Sequence, residues 1–224
     1  MSDKLFFSLT LILAAAFVFL ALNPLAVRAP SGPVSGGGRD AADITVVGPE
    51  LHRFVSGNLG RLEIAPPDQG GAPVLHISRL ADQPYEDPRS GPHLILAEDV
   101  EYALEGREVE VIVEARGAGA FSASEFQIDY LAKPGEESGW KTFQLTQQFA
   151  AYSLQFKTPV RGDTQSYDYV GVRPVAPDKR RTMEVRSLRV HALGPKARPL
   201  CTATLRMPSL RAFSIIAIPG GSSR

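Results

Sequence analysis

The chain has 224 residues, and its 24 Lys+Arg are matched by 24 Asp+Glu. That length holds one folded domain beside a short apolar segment, while zero net charge offers no bulk attraction for nucleic acid, which is excluded as a partner. The single cysteine, Cys201, excludes an internal disulfide and a cysteine zinc site, and 20 glycines and 18 prolines between apolar runs favour short strands over long helices.

Leu5 to Leu22 reads LFFSLTLILAAAFVFLAL, with only Ser8 and Thr10 polar. A run of this kind predicts an N-terminal transmembrane signal-anchor helix within residues 1–28. Cleavage after Ala29 would leave Pro30 first and Arg28 inside the site, so retention is preferred to secretion after signal cleavage. Lys4 and Arg28 flank the run almost evenly and orient it weakly; the short N-terminal tail makes an inside N-terminus the simpler arrangement. Residues 29–43 open with APSGPVSGGGR, too poor in apolar groups to offset chain ordering, and are expected to form a flexible linker.

From Ile44 the apolar residues recur with period two: Leu62/Ile64, Leu75/Ile77, Val109/Val111/Val113, Phe126/Ile128/Tyr130, Phe143/Leu145, Tyr152/Leu154/Phe156 and Val170/Val172. Alternation is what a strand with one buried face requires, since successive side chains point to opposite sides of the sheet. The parity slips between Met183/Val185 and Leu188/Val190, which predicts a bulge near Ser187. Lys133 to Gly139 carries turn chemistry. Ala97 to Leu104 reads equally as a helix or as a strand with a turn. About eight or nine strands result, and residues 44–193 form the domain. Residues 194–224, with Lys196, Arg198, Arg206 and Arg211, are expected to be a disordered basic tail.

Leu104-Glu105-Gly106-Arg107-Glu108-Val109, then Trp140-Lys141-Thr142-Phe143-Gln144-Leu145-Thr146 and Phe149 to Phe156, resemble jelly-roll carbohydrate-binding modules of the galactose-binding-like superfamily. Met183 to Val190 resembles the closing strand of that family. The resemblance spans about Ile44 to Leu193 and implies an all-β, jelly-roll β-sandwich with a carbohydrate-binding role and no catalysis. Many such modules hold a structural calcium through acidic residues in the closing strand. Here Glu184 is followed by Arg186 and Arg189, cations that would be repelled by calcium, so no metal or other cofactor is expected.

A sugar site needs flat aromatic surface and planar polar groups on a rigid support. If the alternating apolar residues face the core, then Gln127, Asp129, Trp140, Gln144, Tyr169 and Arg173 face outward and are the candidate ligand-binding residues. Their ordinary alternative is a solvated face with Trp140 covering a hairpin. The four histidines, His52, His76, His93 and His191, show no metal-ligand spacing. Glu108, Glu110 and Glu114 share one outward face as a solvated stripe rather than a glycosidase pair. No nucleophile elbow, P-loop or dinucleotide fingerprint occurs, so no catalytic residue is nominated. Arg161-Gly162-Asp163 is read as a turn.

The sequence therefore predicts a membrane-anchored, extracytoplasmic, non-catalytic module, periplasmic in a Gram-negative cell. Its expected partners are the membrane and a polysaccharide. The alternative is a structural or protein-interaction sandwich that docks an envelope protein and has no sugar site.

Overall fold

A computed structural model describes residues 3–22, 29–37, 41–66, 71–81, 85–160 and 167–194. The elements in chain order are α1 (Asp3–Leu22), β1 (Asp43–Val47), β2 (Arg61–Ala65), β3 (Val74–Arg79), β4 (His93–Leu96), α2 (Glu98–Leu104), β5 (Glu108–Gly117), β6 (Glu125–Lys133), β7 (Glu136–Glu137), β8 (Lys141–Gln144), β9 (Ala150–Lys157), β10 (Asp168–Pro174) and β11 (Arg181–Leu193).

The strands form two antiparallel sheets. One has six strands, in the order β2-β3-β11-β5-β9 with β1 also on β11; the other has five, in the order β4-β10-β6-β7 with β8 also on β6. Between them lies one core, to which β5 contributes Val109, Val111, Val113 and Ala115, and β6 contributes Phe126, Ile128 and Tyr130. Every second residue of these strands is buried, and fully burying one such large apolar side chain stabilises by roughly 1.5–3 kcal/mol. The expected sandwich is thus present. It has eleven strands among the described residues rather than eight or nine, the surplus being short pieces such as β7 that carry too few residues to show a period.

The predicted parity slip in the closing strand is a register shift between Val185 and Ser187 where β11 pairs with β5. The ambiguous segment at Ala97 is settled as helix α2, whose Val100 and Leu104 are buried. Its carbonyl at Leu104 and that of Arg107 both accept from the Thr158 hydroxyl, tying the helix end to the strand edge.

The N-terminal run departs from expectation. It does form helix α1, with Phe7 and Leu11 about 70% and 73% exposed, but among the described residues no helix is long and apolar enough to cross a membrane. Asp3 and Lys4 take the first two positions of the 20-residue helix. The 18 that remain rise about 27 Å, short of a ~30 Å hydrocarbon layer. The transmembrane signal-anchor expectation is therefore not supported, and the continuation through Val27 that would lengthen the span lies outside the described residues.

The segment expected to be a flexible linker is partly docked. Val34 is buried, bridges Leu96 in parallel, and donates its N–H to the Ile95 carbonyl at 2.8 Å. The Ser35 hydroxyl and the Gly36 N–H donate to Asp99 at 2.7 and 3.0 Å. One apolar residue amid Gly, Ser and Pro is enough to seat this stretch along β4. The basic tail beyond Gly194, Cys201 and the Arg161-Gly162-Asp163 turn lie outside the described residues.

Candidate functional site

All six residues nominated from the sequence lie on the outer side of the five-stranded sheet. The reason is register. Gln127 pairs with Thr142 of β8 and with Arg173 of β10, while Gly171 pairs with Asp129 on one side and His93 on the other. Tyr169 pairs with Leu131 and Ile95. Directly paired residues in an antiparallel ladder share a face, so the outer surface carries three rows: Thr142-Gln127-Arg173, then Asp129-Gly171-His93, then Leu131-Tyr169-Ile95. Gln144, opposite Glu125, extends the first row along β8.

Trp140 sits just before β8 and folds over the middle row. A Cβ added to Gly171 would lie 2.6 Å from the Pro88 Cβ and 2.8 Å from the Trp140 Cη2. A glycine inside a central strand is what lets this proline and indole approach the sheet so closely. The indole N–H donates to the Glu86 carbonyl at 2.8 Å, and the Tyr85 ring meets the indole edge-on with centroids 5.8 Å apart. Trp140 is thus on the outward side of the sheet, as expected, but it is half-buried under the Tyr85–Ser90 segment and not freely exposed.

Arg173 holds the cluster together. Its guanidinium lies over the Trp140 ring at 3.7 Å and the Tyr85 ring at 4.5 Å from the centroids. Its Nε donates to Gln127 Oε1 at 2.7 Å, and an Nη donates to the Tyr85 carbonyl. The residue is only 7% exposed, and burial pulls its pKa down from the ordinary value. The Gln127 amide in turn donates to the Thr142 hydroxyl at 3.0 Å. Asp129, 1% exposed, accepts from the Ser138 hydroxyl at 3.0 Å, and burial pushes its carboxyl pKa up. Tyr85 is likewise buried, and burial pushes its phenol pKa up.

The six nominated residues therefore divide. Arg173 and Asp129 are buried supports whose polar groups are engaged within the protein. Gln127 and Tyr169 are half-buried, and Gln144, whose amide donates to Glu125, is exposed, as are Thr142 on the same face and Lys141. Tyr85, Pro88 and Gly171 complete the site and were not among the six nominated residues. Gly171 was a readable signal, being a lone glycine between Tyr169 and Arg173 in a strand pattern.

The opposite sheet presents polar pairs, two of them ion pairs, on its outer face. Arg116 meets Glu184 at 2.6 Å, Arg186 meets Glu114 at 2.9 Å and His191 meets Glu110 at 3.4 Å. Glu184 is thereby occupied by an arginine. Among the described residues no group of three or more His, Cys, Asp and Glu could hold a metal ion.

No family model matches the chain, and no curated protein matches it. Solved structures do. The C-terminal family 22 carbohydrate-binding module of Clostridium thermocellum Xyn10B aligns over 73% of this chain and 98% of its own, with 13% identity and a TM-score of 0.45. A CBM4 structure aligns over 68% and 97%, with 11% identity and a TM-score of 0.42. The CBM22-2 xylan-binding domain of Paenibacillus barcinonensis Xyn10C aligns over 62% and 91%, with 10% identity and a TM-score of 0.45. All three TM-scores lie below 0.5, so the likeness carries no argument, and the functional reading rests on the chain's own side chains.

Proposed function

We propose that the chain is a non-catalytic carbohydrate-binding module whose ligand lies along the outer face of the five-stranded sheet. The observation that carries this reading is the half-buried indole of Trp140 on the same outer face of the sheet as Gln127, Thr142 and Gln144. An apolar ring beside amides and a hydroxyl on a rigid strand support is the combination that stacks on a sugar C–H face and bonds its hydroxyls. Arg173, Tyr85, the Glu86 carbonyl and the close approach at Gly171 fix the indole in place, so the platform is pre-organised and little ordering is lost on binding. The proposal puts the sandwich outside the cytoplasm, where polysaccharide is met. An export role for the apolar Leu5 to Leu22 run supports that location whether or not it is cleaved.

A second reading is a structural or protein-interaction sandwich without a sugar site. One observation favours it: the Trp140 N–H and two of the Arg173 donors bond within the protein, so the cluster serves equally well to clasp the Tyr85–Ser90 segment to the sheet.

Affinity electrophoresis of the full chain through gels containing soluble polysaccharides separates the two. The carbohydrate reading expects retardation of the parent in at least one gel and its loss in Thr142→Ala and Gln127→Ala. A parent that migrates freely in every gel supports the structural reading.

A further inference from the structure

We infer that β9 is a self-association edge, through which two copies of the chain join their six-stranded sheets into one continuous antiparallel sheet. Among the described residues β9 pairs only with β5, in eight consecutive pairs from Glu108↔Lys157 to Ala115↔Ala150 without a bulge. Its other edge presents backbone groups that a further strand could use.

The direction of those groups follows from register. The Thr158 N–H donates to the Arg107 carbonyl at 2.9 Å, one step beyond the last pair. Hydrogen-bonded and non-hydrogen-bonded pairs alternate along an antiparallel ladder, so Phe156, Leu154 and Tyr152 bond to β5. Ala151, Ser153, Gln155 and Lys157 then aim their N–H and C=O groups outward.

Natural sheet edges are commonly blunted by shortness, charge, proline, bulges or a covering segment, and the other edges of this sandwich show these devices. Strands β1 and β2 have five residues each and carry Asp43, or Arg61 and Glu63. Strand β4 is covered by the bridges from Val34 and Val55. Strand β8 has four residues and begins with Lys141. Strand β9 has eight residues, AAYSLQFK, with no proline and one charge at its end.

A second copy is the occupant because the strand is complementary to itself. A two-fold axis at Leu154 sets Ser153 opposite Gln155 of the second copy and Ala151 opposite Lys157, so no like charges meet. On the core side it sets Tyr152 opposite Phe156, which extends the row of half-buried aromatics at the sandwich margin. One strand pair buries less than a standard interface, so the dimer is weak, with a Kd on the order of 10–100 µM.

The test is hydrogen exchange on the full chain, in a detergent that disperses helix α1, over a concentration series spanning that Kd, with mass measured by light scattering in parallel. The expected result is a dimer at the upper end, with protection of the Ala150–Lys157 segment rising about tenfold. Ser153→Pro, which removes an outward donor, and Ser153→Lys, which sets a charge at the pairing edge, should both stay monomeric with β9 exchange independent of concentration. A monomer throughout the series overturns the inference. So does association that leaves β9 exchange unchanged, or a dimer that persists in Ser153→Lys.

Discussion

The Arg173 guanidinium lies 3.7 Å from the centroid of the Trp140 ring while its Nε donates to Gln127 at 2.7 Å. One buried cation therefore joins the aromatic platform to the polar ladder beside it. A guanidinium over an indole gains cation–π attraction that grows as water is excluded, and its planar fork leaves donors free for the amide and the Tyr85 carbonyl.

Arg173→Ala should lower unfolding stability by ~2–4 kcal/mol, because it removes two charge-assisted hydrogen bonds and the packing between two rings. Arg173→Lys should recover less than half of that, since an ammonium cannot stack flat and bond sideways together. Urea unfolding of the three proteins checks both values; a lysine variant as stable as the parent would show that charge alone suffices.

Gly171→Ala should displace the indole. Its new methyl would meet both Pro88 and Trp140 inside van der Waals contact, at a cost of about 1–3 kcal/mol for overpacking. Trp140 is the only tryptophan, so its emission reports the movement directly. A red shift of the emission maximum in the folded variant is expected, and an unchanged spectrum would place the indole elsewhere.

His93 makes stability depend on pH. It is buried, its Nδ1 lies 2.8 Å from the Gly91 carbonyl, and its ring meets Tyr169 edge-on at 5.7 Å. Burial lowers its pKa from the ordinary 6.5. The folded state thus holds the neutral ring while the unfolded chain takes up a proton as pH falls past about 6.5. The stability linked to His93 is present above that pH and is lost as pH falls through the lowered folded value. Between pH 7.5 and 5 the parent should lose more stability than His93→Gln, measured by urea midpoints at matched ionic strength. Equal losses would exclude His93 as the source.

Much of the sandwich was legible because its strands are half-buried and alternate. In β5, Val109, Val111 and Val113 occupy strict every-second positions, and the bulge near Ser187 showed as one broken parity. The same parity named residues that gather on one face once β6, β8 and β10 pair. Parity could not reveal what covers that face. Tyr85 and Arg173 are 88 positions apart, and nothing local in Tyr85 to Pro88 says which sheet it will cross. Arg173 therefore read as a ligand contact, although it is buried and bonds Gln127 and the Tyr85 carbonyl within the protein. Val34 was hidden for the opposite reason: its neighbours have linker composition, but this single valine bridges Leu96 of β4 and is buried.

Titration of the full chain with soluble polysaccharides, followed by the emission of Trp140, tests most directly whether the outer face of the five-stranded sheet binds carbohydrate. The account predicts a saturable change in intensity and a blue shift with at least one polysaccharide, as the accessible part of the indole is covered, and loss of that binding in Thr142→Ala at unchanged stability. Binding detected by affinity electrophoresis with no change in Trp140 emission, or no binding to any polysaccharide, would contradict it.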